Sequence, residues 1–219
     1  MSKVIIWGAT GQAQVIEELL LNTDYEIVAL FENNTKVKSP IDSVPIFYGE
    51  RGFTEWLSKV SSEDFFYYIV AIGGHGGLHR KSISLMLNKY GFEPLSVIHH
   101  SSIVAKNVKL GIGIQILMNS TICARVEIGD FVIVNSSSSI DHGCTIGPYS
   151  HIGPGAILAG CVKIEKNVFI GTNATILPNL TIGENTVIGA GAVVTKNIPA
   201  NSIAYGNPAI IKSSFTTIK

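Results

Sequence analysis

From residue 104 to residue 194, every sixth residue has an aliphatic side chain, without one insertion. The sixteen positions are Val104, Leu110, Ile116, Ile122, Ile128, Val134, Ile140, Ile146, Ile152, Leu158, Ile164, Ile170, Ile176, Ile182, Ile188 and Val194. A short fixed period is typical of a solenoid, in which each repeat packs only against its neighbours. We predict that these side chains point inward and that three six-residue edges close one triangular coil, giving roughly five stacked coils. Small residues and glycines are expected to turn the corners.

Residues 1–98 lack this period and alternate strand-like with helix-like segments. The predicted strands are KVIIWG, YEIVALFENN and FFYYIVAIGG, and the predicted helices are QAQVIEELLLN, FTEWLSKV and HRKSISLMLNKYG. This alternation predicts a small parallel α/β sheet. The chain is therefore divided into an α/β domain (1–98), an all-β solenoid domain with a C-terminal extension (99–212) and a tail (213–219).

Polar and glycine-rich residues follow the three predicted strands, where ligands bind in sheets of this kind. They are Gly8–Gly11, Glu32–Asn34 and Gly73–Gly74. The first group lets backbone N–H groups approach a phosphate at a helix N-terminus. It contains only G-x-x-G, so a tight turn remains an equal alternative and NAD binding is not expected. Glu32 or Asn33 could hydrogen-bond a base or a ribose, or could lie in a solvated loop.

Composition excludes several partners. The chain has 16 basic and 16 acidic residues and no basic run, so we expect no nucleic acid and no anionic membrane surface as partner. The N-terminus is interpreted as a strand and not as a signal peptide, and no apolar window is long enough to cross a bilayer. Three cysteines in no metal-ligand spacing favour reduced thiols and a cytoplasmic location.

Two histidines lie on the predicted solenoid, His142 and His151, and both are expected to point outward. Asp141 stands beside His142, and a carboxylate can orient an imidazole. Steps of one coil from His142 reach Gly160, Pro178 and Lys196, which suggests a groove that ends in a positive charge. A histidine is a good general base near neutral pH. Solvated histidines on a structural face are the alternative.

Metal chemistry is not expected. A carbonic anhydrase built on the same kind of solenoid needs three histidines to hold zinc, and the solenoid offers two. His75 and His79, four residues apart, could form a metal pair, but a helix cap, a phosphate contact or plain solvation is preferred.

Several segments together resemble one family. The hexapeptide register, NSSSSIDH (135–142) and IAYGNPA (203–209) resemble left-handed β-helix acetyltransferases. The pieces GATG, FENN and AIG narrow this resemblance to the PglD/NeuD-type sugar acetyltransferases, which place a Rossmann-like nucleotide-sugar domain before the β-helix. The resemblance covers nearly the whole chain.

The resemblance implies an acetyl-CoA-dependent N-acetyltransferase. Its acceptor would be a UDP- or dTDP-linked 4-amino-4,6-dideoxy sugar for a bacterial surface glycan or glycoprotein. Members form homotrimers, with acetyl-CoA between adjacent β-helices. O-acetylation of sialic acid or a related sugar is the first alternative. A non-catalytic trimeric scaffold that binds a nucleotide sugar is the second.

The resemblance also implies roles for individual residues. The catalytic group is the base His142 with Asp141 and Asn135. The residues expected to contact acetyl-CoA, including two from the proposed groove, are His151, Gly160, Thr172, Ala190 and Lys196. Those expected to contact the nucleotide sugar are Thr10, Gly11 and Gln12 at the diphosphate and sugar, Glu32 and Asn33 at the base, and Ile72 and Gly73 nearby.

The chain departs from the family pattern at two positions. Gly143 stands where members often have an acidic residue after the catalytic histidine, and Gln12 stands where many have histidine. In those members the acidic residue raises the basicity of the histidine, and Asp141 is expected to take over that role here.

Overall fold

The computed structural model describes residues 1–61 and 63–214. The chain forms two compact units. The first contains Met1–Ile72 and His79–Ser96, and the second contains Gly73–Leu78 and the chain from Val97 onward. The short segment Gly73–Leu78 thus belongs to the second unit, although it lies within the first predicted domain.

The first unit is built on a five-stranded parallel sheet. Its strands are β1 (Ser2–Trp7), β2 (Tyr25–Glu32), β3 (Ile46–Tyr48), β4 (Phe66–Val70) and β5 (Glu93–Pro94). The helices are α1 (Gly11–Leu20), α2 (Gly49–Leu57) and α3 (Gly77–Lys89). The strand order is β3-β2-β1-β4-β5, so the chain reverses direction across the sheet between β3 and β4. The loops after β1, β2 and β4 therefore meet at the edge where such sheets bind ligands.

The core of the first unit explains its sequence pattern. Val4, Ile5 and Ile6 are all buried, as expected for a central parallel strand that lies between β2 and β4. An aromatic cluster joins Phe31 of β2 to Phe53 and Trp56 of α2 through ring contacts. The edge strands β3 and β5 were not predicted, since three and two residues are too few to show a periodic pattern.

The second unit is a parallel β-helix. Seventeen two-residue strands, β6 to β22 in chain order, are Val97–Ile98, Ile103–Val104, Lys109–Leu110, Gln115–Ile116, Thr121–Ile122, Glu127–Ile128, Ile133–Val134, Ser139–Ile140, Thr145–Ile146, His151–Ile152, Ile157–Leu158, Lys163–Ile164, Phe169–Ile170, Thr175–Ile176, Thr181–Ile182, Val187–Ile188 and Val193–Val194. Each ends on a repeat position, and the series begins one step earlier than predicted, at Ile98.

The strands form three faces. The first face contains β7, β10, β13, β16, β19 and β22, and the second contains β8, β11, β14, β17 and β20. The third contains β6, β9, β12, β15, β18 and β21, extended by β23 (Ser202–Gly206) and the antiparallel β24 (Ala209–Ser214). Stacked residues are 18 apart, as Ile122, Ile140 and Leu158 show. Of the predicted tail, Ser213 and Ser214 lie in β24, and residues 215–219 lie outside the described residues.

The repeat positions form the core of this unit, as predicted. All fourteen from Ile116 to Val194 are buried, while Val104 and Leu110 in the first coil are partly exposed. Each buried aliphatic side chain stabilises the coil by roughly 1.5–3 kcal/mol. The residue two positions earlier, such as Val126 or Ala156, is also buried in most repeats and fills the remaining interior, while Leu180 and Val108 are partly buried.

Each corner has two positions with a special requirement, one for a left-handed backbone and one for the lack of a side chain. From Gly113 to Gly191, every residue three positions before a repeat position has φ between 55° and 68°. Glycine and asparagine, which tolerate this left-handed region, recur there. The glycines directly after the repeat positions have a different cause: a Cβ on Gly147 would lie 2.5 Å from the main-chain carbon of Glu165 in the next coil.

No helix in the two described ranges is both long and apolar enough to span a bilayer.

Candidate active site

His142 lies at the corner between the first and second faces, directly after β13. Its side chain is exposed, and its ring lies against Gly160 in the next coil. A Cβ on Gly160 would lie 2.8 Å from both Cε1 and Nε2 of His142. Gly160 therefore leaves room for the imidazole, while the groove along this series of residues stays a prediction.

Asp141 does not orient the imidazole through the hydrogen bond that its carboxylate makes. Its Oδ1 accepts the backbone N–H of His142 at 2.6 Å. The same carboxylate meets the thiol of Cys123 in the preceding coil, and burial, together with this negative charge and hydrogen bond, raises the pKa of Cys123. Asp141 thus fixes the backbone on which His142 stands, because its side chain folds onto the main chain.

Gly143 is the left-handed residue of this corner, with φ +68°. A Cβ there would lie 3.2 Å from Sγ of Cys161. The glycine at this point of departure from the family pattern therefore matches the local backbone requirement.

Asn135 and His151 form a second group. Nδ2 of Asn135 and Nε2 of His151 are 3.0 Å apart, and Oδ1 of Asn135 accepts the N–H of Ser136 at 2.8 Å. Because the amide oxygen faces a donor, the amide nitrogen faces the ring, so Nε2 of His151 is the acceptor. His151 points outward on the third face but is only 4% exposed. The rings of His151 and Phe169 are 5.2 Å apart, and a Cβ on Gly73 would lie 3.4 Å from Cε1 of His151.

The predicted catalytic and cofactor residues divide between two edges of the first face. Asn135 follows β12 at the edge shared with the third face, and His142 follows β13 at the edge shared with the second. Thr172 and Ala190, one coil apart, lie on the Asn135 edge, and Gly160 and Lys196, one and three coils after His142, lie on the His142 edge. Thr172, Ala190 and Lys196 are exposed. Within one chain, the structure joins Asn135 to His151 and His142 to Gly160, but it does not join the two groups.

The first unit brings together two of the three predicted groups, Gly8–Gly11 and Glu32–Asn34, at the carboxyl ends of β1 and β2, whereas Gly73–Gly74 belongs to the second unit. Gly8, with φ +106°, packs so closely on β4 that a Cβ would lie 2.5 Å from the carbonyl oxygen of Ala71. Thr10 precedes α1 and makes no side-chain cap, and a Cβ on Gly11 would meet nothing within 4 Å. The start of α1 therefore has open space beside Gly11, the side from which a phosphate could approach a helix N-terminus.

Glu32, at the end of β2, joins two of these loops. Its Oε2 accepts the N–H of Ala9 at 3.1 Å, and its Oε1 accepts those of Asn33 at 2.8 Å and Asn34 at 3.1 Å. Asn33 itself is exposed.

The sequence reasoning missed Arg80. This side chain is 1% exposed, and its Nη1 donates to the carbonyl oxygen of Ile72 at 2.8 Å. Burial lowers the pKa of Arg80 to about 10. Gly77, Arg80, Ile83 and Leu87 are all buried at helical spacing, so an arginine on the buried stripe of α3 was the signal.

Neither His75 nor His79 belongs to a metal site in the structure. Both are exposed, and the described ranges contain no group of three His, Cys, Asp or Glu side chains able to hold a metal ion.

A Rossmann-like unit followed by a hexapeptide β-helix with an exposed corner histidine is the domain arrangement of one class of protein, the hexapeptide-repeat sugar acetyltransferases, and two family matches support this class. Residues 3–87 match the family described as the PglD N-terminal domain. Residues 125–160 and 161–196 match the bacterial transferase hexapeptide repeats.

Named relatives agree with this class. PerB from Caulobacter crescentus, solved in complex with CoA and GDP-perosamine, is 30% identical over 97% of this chain and 98% of its own, with a TM-score of 0.86. The acetyltransferase domain of PglB from Neisseria gonorrhoeae, solved with acetyl coenzyme A, is 28% identical over 96% of this chain and 98% of its own, with a TM-score of 0.81. GDP-perosamine N-acetyltransferase of Escherichia coli O157:H7 is 40% identical over 106 residues, which are 48% of this chain and 47% of that relative. The chain belongs to the PglD/NeuD-like family of acetyl-CoA-dependent sugar acetyltransferases.

Proposed function

We propose that this protein transfers the acetyl group of acetyl-CoA to the amine of a nucleotide-linked 4-amino-4,6-dideoxy sugar. The observation that carries the proposal is His142, a histidine held at an exposed corner of the β-helix against a glycine that leaves room for its ring. The sequence favoured a UDP or dTDP carrier, but two relatives are named for GDP-perosamine. We therefore place a GDP-linked sugar of this type first among the acceptors.

The chemistry requires a base. An ammonium group has no free electron pair, so the amine must be neutral when it attacks the thioester carbon. As the nitrogen–carbon bond forms, Nε2 of neutral His142 accepts one of the two protons of the attacking amine. General-base catalysis of this kind typically contributes ~10²–10⁴ in rate. The carbon–sulfur bond then breaks, the thiolate of CoA leaves, and the imidazolium returns a proton to it. The N–H of Gly160, beside the ring, is our choice for the donor that stabilises the tetrahedral oxyanion.

The nucleotide sugar would occupy the loops of the first unit. The N–H groups at the start of α1, with Thr10, Gly11 and Gln12, suit the diphosphate, because the positive end of a helix favours an anion. Ile72 and Gly73 lie after the neighbouring β4 and would contact the sugar side. Asn33 is exposed at the end of β2 and would contact the base.

We also propose a homotrimer as the working unit. The outward residues of the first face, Ile103, Thr121, Ser139, Ile157, Thr175 and Val193, carry no charge. The second face displays Lys109, Glu127 and Lys163. If the uncharged first face lies toward a threefold axis, its two edges meet in neighbouring subunits. His142 would then face Asn135 of the partner subunit, and acetyl-CoA would lie between the two edges, along His151, Thr172 and Ala190 on one side and Lys196 on the other.

Because acetyl-CoA and nucleotide sugars are metabolites of the cytoplasm, we place the reaction there and its product in bacterial surface glycan or glycoprotein synthesis.

The test is thiol release from acetyl-CoA by the purified protein. Acceptors offered in parallel are GDP-perosamine, UDP- and dTDP-linked 4-amino-4,6-dideoxy sugars, and free sialic acid. We expect turnover with one nucleotide sugar and loss of at least about 100-fold in kcat in His142→Ala. Turnover with sialic acid alone would support O-acetylation instead, and no thiol release with any acceptor would support the non-catalytic scaffold.

A further inference from the structure

The carboxylate of Glu32 is occupied by the protein backbone. A carboxylate offers about four lone-pair positions on two oxygens. Oε1 accepts two N–H groups, from Asn33 and Asn34, and Oε2 accepts one, from Ala9. One position, on Oε2, is left for a ligand.

This occupancy conflicts with the base contact that family resemblance gives to Glu32. A guanine edge presents two donors side by side, N1–H and N2–H, and a carboxylate reads them with both oxygens at once. Oε1 could do so only by giving up the N–H groups of Asn33 or Asn34. Because Oε1 already accepts these two N–H groups, reading a base edge with it would exchange hydrogen bonds and not add them.

The same three hydrogen bonds have a clear mechanical effect. Ala9 lies in the loop after β1, and Asn33 and Asn34 lie in the loop after β2. Glu32 therefore joins the two loops, and its hydrogen bond to Ala9 connects residues that are 23 positions apart in sequence. The first loop is also held from its other side, where Gly8 packs on Ala71 at the end of β4. Because α1 starts two residues after Ala9, the tie to Glu32 sets where the phosphate-binding N–H groups stand relative to the base-binding loop.

We propose that Glu32 is a positioning residue that holds the phosphate-binding and base-binding loops at a fixed separation, and that the adjacent Asn33 reads the base. The inference rests on the proposed function, since it concerns the nucleotide of the same acceptor. An amide side chain suits the reading role because it both donates and accepts, as every base edge requires. Glu32 then strengthens the binding of any nucleoside diphosphate without selecting among them.

Glu32→Gln is the sharpest test variant. Glutamine preserves the shape of the side chain but has a single oxygen, so it cannot accept hydrogen bonds from the N–H groups of both loops. Its NH₂ group must instead face the N–H of either Ala9 or Asn33, and two donors cannot form a hydrogen bond. Glu26→Gln, on the exposed surface of the same strand, is the matched control for loss of one charge. Glu32→Asp retains the charge but shortens the reach, and it serves if the glutamine variant fails to fold.

The measurement is calorimetric affinity for GDP and for UDP on the full chain, followed by steady-state kinetics. We expect Glu32→Gln to weaken GDP and UDP by about tenfold each, so that their ratio is preserved. KM for the nucleotide sugar should rise by a similar factor, while kcat and KM for acetyl-CoA change by less than about twofold. Asn33→Ala should instead change the GDP-to-UDP ratio, and Glu26→Gln should change nothing.

Two results would overturn the inference. A change of about fivefold or more in the GDP-to-UDP ratio in Glu32→Gln would make Glu32 the reader of the base. Unchanged affinities for both nucleotides would show that the tie between the loops is not needed. Failure of the proposed function looks different, because the unsubstituted protein would then release no thiol from acetyl-CoA with any nucleotide sugar, whatever its affinities for GDP and UDP.

Discussion

Gly160→Ala tests the corner at which His142 stands. The backbone at Gly160 does not lie in the left-handed region, so alanine adds no backbone strain. Its Cβ, however, would lie 2.8 Å from Nε2 of His142, against an ordinary contact of 3.4 Å or more. The imidazole must therefore move by at least about 0.6 Å, and displacements of ~1 Å at a reacting group can cost ~10² in rate. We expect kcat to fall by about 10- to 100-fold, or roughly 1.4–2.7 kcal/mol in the activation barrier.

The assay is steady-state thiol release with saturating acetyl-CoA and nucleotide sugar, together with a thermal melt. Because the His142 ring is exposed and can swing toward solvent, we expect the melting temperature to change little. KM for acetyl-CoA is measured alongside, since Gly160 is also expected to line the acetyl-CoA groove. A kcat within about twofold of the unsubstituted protein, with the fold intact, would refute the claim that the position of this ring limits the reaction.

Three further predictions concern the assembly, the thiols and the corners. A mixture of His142→Ala and Asn135→Ala proteins, unfolded and refolded together, should regain up to about one quarter of the original activity, because each interface of a mixed trimer combines two edges at random; no recovery would contradict a shared site. Iodoacetamide near pH 8 should label exposed Cys161 and spare Cys144, which is buried with its pKa raised to about 11 by desolvation, and peptide mass spectrometry reads the difference. Asn185→Ala removes hydrogen bonds of 2.8 and 3.1 Å at a left-handed corner and should destabilise by about 3 kcal/mol in chemical denaturation, whereas Asn185→Gly, free of the backbone strain, should cost about 2 kcal/mol.

The β-helix was predictable because one physical rule repeats in its sequence. An aliphatic residue at every sixth position can be buried only if each edge is six residues long, so the pattern alone defined the interior from Ile116 to Val194. The cause of the regular spacing of the corner glycines was not visible in the sequence. Gly147 is required by the backbone of a coil 18 residues away, and that proximity exists only after the coils stack.

The sequence indicated candidate residues for the site, but it did not predict which atoms of these residues contact one another. The one-coil step correctly placed Gly160 beside His142, because stacking in the β-helix follows residue number. The expectation that Asp141 orients the imidazole did not anticipate that its carboxylate would bond to the backbone of the next residue.

The contacts of the first unit were harder to foresee. Glu32 bonds to Ala9 across two loops whose approach depends on the strand order of the sheet, whereas Arg80 bonds to the carbonyl of Ile72 within the segment that follows β4. No periodic pattern in a single sequence encodes that approach.

Chemical analysis of the product tests the central claim most directly. The protein is incubated with acetyl-CoA and GDP-perosamine, and the nucleotide sugar is recovered and treated with hydroxylamine, which cleaves esters and leaves amides intact. We predict a nucleotide sugar heavier by one acetyl group, with that group retained after treatment and absent when His142→Ala replaces the original protein. An acetyl group lost to hydroxylamine, or one that forms equally well with the variant, would contradict N-acetylation with His142 as the base.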